Sequence, residues 1–248
     1  MKSIADLKVK IFADGADLKV IGDMSRNPII KGFTTNPTLM RKAGIPDYRA
    51  FALEAARLVG QRPISFEVFS DEFNEMEAQA MEIAAWGKNV YVKIPVTNTR
   101  REFAGGLIKR LAKAGVQLNI TALLTIRQVK DVMECLSPDT SSFVSVFAGR
   151  IADTGRDPVP LMSEAMRLLR PNPKAELIWA SPRELLNIFH ADSIGCHVIT
   201  VTSDVLAKLP LIGKDLDEYS LDTVKMFHND AVAAGFRIAT PQPARVAA

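Results

Sequence analysis

The sequence predicts an α/β chain closed into a (β/α)8 barrel, and three observations carry that expectation. Strand-like and helix-like stretches alternate from one end to the other, eight such units fit into 248 residues, and no linker or shift of composition divides them. A doubly wound open sheet is the competing class. It normally uses fewer strands and follows its first strand with a glycine-rich dinucleotide fingerprint, which Asp14-Gly15-Ala16-Asp17 is not. The expected architecture is therefore a single TIM-barrel domain, ordered from about residue 9 to 236, with an additional C-terminal helix and a flexible tail from Thr240 to Ala248.

The elements follow in order. Val9 to Asp14 reads as the first strand and Ala16 to about Ser25 as a short helix. Ile30 to Thr35 is the second strand, stopped by Asn36-Pro37 because proline restricts the residue before it. Apolar residues at helical spacing mark Asp47 to Gly60, and Ile64 to Phe69 is the third strand. Asp71 is expected to cap a helix running to about Trp86. Asn89 to Thr97 is the fourth strand, followed by a helix from about Thr99 to Ala114 that stops at Gly115. Gln117 to Ala122 and Ser142 to Phe147 are the fifth and sixth strands, followed by helices at Thr125 to Cys135 and Val159 to Leu169. Ala175 to Ala180 is the seventh, with Ser181-Pro182 expected to open a helix, since proline suits the first helical position. His197 to Val201 is the eighth, with a short helix from Ser203 to Leu209 and a longer one from about Leu221 to Ala234.

Composition narrows the function classes. Hydrophobic residues are 48% of the chain, enough for a sizeable core, and the net charge of +3 is spread without a basic run that would suit nucleic acid. The opening residues carry no hydrophobic signal core and no apolar run reaches membrane-spanning length, so a soluble, cytoplasmic protein without nucleic-acid or membrane partners is expected. Cys135 and Cys196 read as reduced core residues. His190, His197 and His228 fall in helix or strand bodies away from the strand ends, so no metal site is expected.

The fourth strand is the most informative stretch. Val90, Val92 and Ile94 share one face by the two-residue period, and Tyr91, Lys93 and Pro95 share the other. Apolar walls disfavour an ammonium, so a lysine buried there favours the neutral, nucleophilic amine. The plainer reading is a lysine that snorkels to solvent from a strand end. In a barrel of this kind, sites are built where strands hand over to helices. The polar residues at those handovers are Asp14, Thr35, Asn36, Glu67, Lys93, Asn119, Thr121, Ser145, Arg150, Ser181 and Arg183. Taken singly, Asp14 suits a helix cap, Asn36 a turn, and the two arginines an ordinary surface. Glu67, set between Phe66 and Val68, wants a partner, and the convergence of all these groups on one mouth argues for chemistry.

Seven segments in order carry a family resemblance: FADGAD (from Phe12), GFTTNPTL (from Gly32), ISFEVF (from Ile64), VYVKIPVT (from Val90), LNITALLT (from Leu118), SVFAGRIAD (from Ser145) and WASPRE (from Trp179). Over about Ile11 to Phe236 the chain resembles the transaldolases and the smaller fructose-6-phosphate aldolases. The resemblance implies an (α/β)8 barrel and an enzyme without a cofactor that acts on small sugar phosphates. It implies that Lys93 is the Schiff-base lysine, that Asp14 is the general base at the carbon-4 hydroxyl, and that Glu67 with Thr121 holds a catalytic water. It further implies that Asn36, Asn119 and Ser145 hold the hydroxyls of a dihydroxyacetone unit, that Arg150, Arg183 and Ser181 clamp a distal phosphate, and that Thr35 lines the site.

Within the family, transaldolases carry the glutamate and phenylalanine found here as Glu67 and Phe147, whereas the aldolase branch tends to glutamine and tyrosine. The resemblance thus points to transfer of dihydroxyacetone from a ketose 6-phosphate to an aldose phosphate. Release of free dihydroxyacetone, action on a sulfonated fructose, and a non-catalytic sugar-phosphate-binding barrel are the alternatives. Departures from the family pattern are Ala13 and Gly15 in the first strand's motif and Pro182 within Ser181-Pro182-Arg183, which constrains the loop of the anion clamp. Leu221, Val224, Phe227, Ala231 and Phe236 recur at near-helical spacing. In short family members such a helix packs on a neighbouring subunit, so a homo-oligomer is expected; the alternative is a helix that closes its own barrel.

Overall fold

The computed structural model describes residues 3–239. The first two residues and the tail expected from Thr240 to Ala248 lie outside the described residues. The chain parts into two units, one through Leu209 and one from Pro210 onward.

The first unit is a closed parallel barrel of eight strands in sequence order, β1 pairing with both β2 and β8. Its elements run β1 (Lys10–Asp14), α1 (Leu18–Ser25), β2 (Ile30–Thr34), α2 (Pro37–Lys42), α3 (Tyr48–Val59), β3 (Ile64–Glu67), α4 (Phe73–Ala84) and β4 (Val90–Pro95). They continue with α5 (Gly105–Lys113), β5 (Leu118–Leu123), α6 (Ile126–Met133), β6 (Ser142–Val146), α7 (Ala148–Ala152), α8 (Val159–Leu169), β7 (Ala175–Trp179), α9 (Leu186–Ser193), β8 (Val198–Thr202) and α10 (Ser203–Leu206). The second unit holds α11 (Leu216–Ala233), capped by the Asp215 carboxylate, which accepts from the Asp217 and Glu218 amides. No residue of α11 is buried. No helix among the described residues is long and apolar enough to cross a membrane.

Strand alternation sorts the barrel into two apolar regions. Ile11, Phe33, Phe66, Val90, Val92, Ile94, Leu118, Ile120, Leu177, Trp179 and Val201 belong to the large core shared with the surrounding helices. Phe12, Phe143, Ile178, Ala180 and Val198, with Tyr91 and Phe147 packed against them, form a second, smaller cluster. These are the alternate residues of their strands, and they fill the barrel interior. Phe143 meets Phe12 edge-on at 5.5 Å and Tyr91 at 4.4 Å. Lys10 and Glu176, of the same parity as Phe12 and Ile178, form an ion pair at the amino-terminal end of the barrel. Burying a large aliphatic or aromatic side chain in this way contributes about 1.5–3 kcal/mol each. Cys135 and Cys196 are free and buried, and burial pushes the Cys196 thiol up to about 12.

Several boundaries differ from the sequence expectation. Asp71 does not cap α4; its carboxylate accepts from the Thr99 amide and hydroxyl at 2.8 and 2.6 Å, and Glu72 occupies the cap position. That contact, with the Thr97–Phe103 bridge and the Asn98 side chain accepting from the Arg100 and Glu102 amides, holds 97–103 as a loop. The helix expected from Thr99 therefore begins at Gly105. Ser181-Pro182 does not open a helix either. Ser181 has a φ of +56°, away from the extended backbone of a helix-capping residue, and α9 starts at Leu186. The short helices α2 and α7 have no counterpart in the sequence expectation.

Gly32 sits on the inward side of β2, where an added Cβ would lie 2.5 Å from the Phe12 ring. Gly32→Ala is expected to lower stability by about 1–3 kcal/mol through overpacking. Phe12→Leu in the same chain should recover part of that loss. Denaturant unfolding of the single and double variants checks this.

Candidate active site

The inward parity that packs the lower barrel turns polar at its carboxyl end. Asp14, Thr34, Glu67, Lys93, Asn119, Thr121, Ser145, Phe147, Ala180 and Thr200 line one cavity of about 520 Å³, with Asn36, Arg150, Ser181 and Arg183 from the following loops and helices. Of the residues singled out from the sequence, all but Thr35 line this cavity. Thr35 has the opposite parity. It is fully buried, its hydroxyl donates to the Ser65 carbonyl at 2.9 Å, and it reaches the site solely through its backbone oxygen.

Lys93 is buried, 6% exposed, which answers the snorkelling alternative. Its Nζ donates to the Thr35 carbonyl at 2.9 Å and stands 3.4 Å from Glu67 Oε2. β3 and β4 place Glu67 directly across from Lys93, and β5 places Asn119 on the other side. The backbone of Glu67 is braced by Tyr48 of α3, whose hydroxyl donates to the Glu67 carbonyl at 2.9 Å and accepts from its amide at 2.8 Å.

Asp14, at the end of β1, accepts from the Thr34 hydroxyl at 2.7 Å and from Asn36 Nδ2 at 3.4 Å. Asn36 also caps α2, accepting from the Leu39 amide. Burial raises the Asp14 pKa above the ordinary carboxylate value, with Lys93 and the Thr34 bond opposing that and Glu67 adding to it. On the far wall, Ser145 donates to Asn119 Oδ1 at 2.7 Å and Asn119 Nδ2 donates to Ser65 at 2.9 Å. Among the described residues, Thr121 Oγ1 is buried without a hydrogen-bond partner, which costs about 1–3 kcal/mol unless a bound species supplies one.

The arginines sit at the rim. Arg150 on α7 lies 5.6 Å over the Phe147 ring, and Arg183 directs its fork at Asp153, Nε donating at 2.9 Å. Arg183 holds the Asp153 carboxyl below its usual range, and Arg150 adds to that effect. The loop carrying Ser181 and Arg183 packs so closely on α7 that a Cβ at Gly149 would overlap the Ser181 carbonyl. Asn187 Oδ1 accepts from the Arg183 amide at 2.8 Å and from the Glu184 amide. Ala122 and Ser181, both in the lining, are non-glycine residues at φ of +64° and +56°. Such backbone costs about 1–3 kcal/mol each and persists where surrounding contacts fix it. Among the described residues no three His, Cys, Asp or Glu side chains are grouped to hold a metal ion. His190 packs beside Trp179, His197 Nδ1 accepts from the Leu177 amide, and His228 lies on α11.

The sequence pattern described as Transaldolase/Fructose-6-phosphate aldolase matches residues 11–238, which includes every residue of this cavity. The chain belongs to the transaldolase/fructose-6-phosphate aldolase family. Similar curated relatives are named "Probable transaldolase". One from Dehalococcoides mccartyi is 32% identical over 218 residues, covering 86% of this chain and 97% of the relative. One from Caulobacter sp. (strain K31) is 33% identical over 219 residues, covering 86% and 96%. Among solved structures, a putative lyase/mutase from Burkholderia cenocepacia superposes with a TM-score of 0.58 at 13% identity, over 83% of this chain and 80% of that one. KGPDC from Streptococcus mutans superposes at 0.52 with 9% identity, over 78% and 87%. Those two likenesses are of fold alone.

In this family member, sequence reasoning missed Thr34, Thr200, Thr202, Tyr48, Ser65, Gly149 and Asp153. Counting alternate residues back from Asn36 selects Thr34 over Thr35, and counting back from the end of β8 selects Thr202 and Thr200. The same count back from Glu67 selects Ser65, whereas Tyr48, Gly149 and Asp153 act through contacts distant in sequence and leave no such signal.

The raised Asp14 pKa means that the folded state binds this proton more tightly than the unfolded chain does. The carboxylate therefore costs stability above its folded pKa, and the cost vanishes below the ordinary value of 3.8. Asp14→Asn is expected to raise the urea midpoint at pH 7, with the gain shrinking as pH falls toward that value. An equal or lower midpoint at pH 7 contradicts an under-compensated carboxylate.

Proposed function

We propose that this protein is a transaldolase that moves a dihydroxyacetone unit from a ketose 6-phosphate, such as fructose 6-phosphate, to an aldose phosphate, such as erythrose 4-phosphate. The observation that carries the reading is a buried lysine on the inward face of a barrel strand, with Glu67 beside it and Asp14 in the same cavity. Its curated relatives are named for the same activity.

In the proposed reaction the neutral Lys93 amine adds to the carbon-2 carbonyl of the donor. The carbinolamine oxygen is protonated and leaves as water, giving an iminium. Glu67 and the unpartnered Thr121 hydroxyl are suited to hold that water and carry its protons. Asp14 then removes the proton from the carbon-4 hydroxyl. The carbonyl forms at carbon 4, the bond between carbons 3 and 4 breaks, and its electrons enter the iminium to leave an enamine on Lys93. The aldose departs and the acceptor aldehyde is attacked by carbon 3. Asp14 returns its proton to the new alkoxide, and hydrolysis of the imine frees the product. The iminium is the electron sink, so the scheme calls on no cofactor. Asn36, Asn119 and Ser145 offer amide and hydroxyl groups to the three-carbon unit, and Arg150 and Arg183 offer guanidinium groups to the distal anion. Phe147 lines the cavity with a phenyl ring rather than a phenol, which favours retention of the enamine over its release.

Incubation with fructose 6-phosphate without acceptor, followed by borohydride, is expected to leave a three-carbon adduct on Lys93 by intact mass and peptide mapping. Lys93→Met should bind the donor but show neither adduct nor turnover. A folded wild-type protein that gives no adduct with this donor or with a sulfonated ketose contradicts the transaldolase reading. Free dihydroxyacetone released as fast as transfer would favour the aldolase alternative.

The homo-oligomer belongs to the same proposal. Leu216, Val224, Phe227 and Val232 of α11 are 59–79% exposed, an apolar surface of the kind a second copy covers. Sedimentation is expected to show an oligomer that dissociates in Phe227→Glu. A monomeric wild type at micromolar concentration contradicts this.

A further inference from the structure

β1 lies between β2 and β8, and each neighbour contributes a threonine hydroxyl of inward parity near Asp14. Thr34 Oγ1 donates to Asp14 Oδ1 at 2.7 Å, and Thr34 Oγ1 and Thr200 Oγ1 are in hydrogen-bond contact. A hydroxyl has one hydrogen. The hydrogen of Thr34 is committed to the carboxylate, so Thr34 accepts from Thr200. The direction is thereby fixed from Thr200 to Thr34 to Asp14. Thr34 and Thr200 are 3% and 7% exposed, and both line the cavity, so the chain is shielded from bulk water and still borders the substrate space.

We propose that Thr200 is a positioning residue for the reaction: through Thr34 it holds the Asp14 carboxylate ionised and aimed into the cavity. This rests on the reading of Asp14 as the base. A buried carboxylate left to desolvation alone takes up a proton and loses its use as a base at neutral pH. A donated hydrogen bond favours the ionised form, and a second donor behind the first polarises it further, an effect strengthened by low local dielectric. The charged groups facing Asp14 are Lys93 on β4, which also favours ionisation, and Glu67 on β3, which opposes it. Asn36 on the β2–α2 turn adds a longer contact at 3.4 Å. Thr202, directly across from Asp14 on β8, is hydrogen-bonded to Asp204, which leaves the β8 contribution to Thr200.

The test pairs a direct titration with activity. The Asp14 carboxyl carbon is followed by 13C NMR in aspartate-labelled protein, assigned by its loss in Asp14→Asn. Thr200→Val keeps the shape and removes the hydroxyl; Thr200→Ser keeps the hydroxyl and removes the methyl. In Thr200→Val the midpoint is expected to rise by about half a unit to one unit, the size of one net hydrogen bond. The acid limb of the kcat/KM profile should move with it, while Thr200→Ser stays with wild type. An unmoved midpoint in folded Thr200→Val, or an equal shift in Thr200→Ser, overturns the proposal. If Thr200→Val fails to fold, Thr200→Ala takes its place; failure of both beside a normal Thr200→Ser makes the hydroxyl structural and also overturns it. Failure of the transaldolase reading is seen separately, as wild-type protein that traps no adduct.

Discussion

The barrel depends on one constraint: each strand shows alternate residues to the interior, and closure leaves no edge on which to escape that rule. Phe12 and Asp14 share a face, as do Tyr91 and Lys93, and Phe143 and Ser145. A one-residue slip of β4 would send Lys93 outward into the apolar layer under the helices and bring Val92 into the cavity. The aromatic plug of Phe12, Tyr91 and Phe143 makes such a slip costly, because it would bury a charge in the apolar layer and pull the Tyr91 ring off Phe143. The packing of the lower barrel thus fixes the polarity of the upper barrel. Gly32 belongs to the same constraint, as the inward residue of β2 whose missing side chain admits the Phe12 ring.

Charge within the mouth is balanced rather than neutralised by a single pair. Lys93 has a carbonyl at 2.9 Å and a carboxylate at 3.4 Å, so its closest partner is a dipole. Asp14 is held by a hydroxyl and a side-chain amide. A tight buried ion pair would stabilise a lysine as ammonium and oppose its use as a nucleophile. Here two carboxylates, Asp14 and Glu67, stand in one cavity with one amine, and burial lifts Asp14 toward its neutral form. In the proposed reaction protons pass among these groups at imine formation, cleavage and hydrolysis.

What was legible in the sequence follows from how local each signal is. Eight alternating units and the parity of Val90 to Pro95 depend on neighbours within a few residues, and the closed barrel followed from them. The helix expected from Thr99 failed because a carboxylate far back in the chain, Asp71, claims the Thr99 amide. The choice of Thr35 over Thr34 failed for a different reason. Both threonines stand in the same motif, and strand parity, which was applied to Lys93, separates them. Tyr48 bracing Glu67 and Asp153 holding Arg183 were beyond reading, since each pairs residues 19 or 30 positions apart through the folded chain.

The arginine-bearing rim obeys a different logic from the cavity floor. Its groups come from α7 and the β7–α9 loop, where no sheet ladder sets direction, and positional control has to come from contact. Gly149 lets the Ser181 carbonyl approach α7 more closely than any side chain would permit. Pro182 fixes the chain beyond it, Ser181 takes a left-handed backbone, and Asn187 ties down two successive amides. Asp153 then takes the Arg183 fork from one side. Both partners of that ion pair are about half exposed, so it contributes little to stability. Its consequence is geometric and electrostatic: the Arg183 guanidinium is already oriented and partly compensated, and in the proposed reaction the distal anion binds it with the donors that Asp153 leaves free. The departure of Ser181-Pro182-Arg183 from the family pattern falls on this rim and leaves the floor around Lys93 untouched. In the proposed reaction the rim is therefore where head-group preference can diverge, while the floor that would form the imine stays the same.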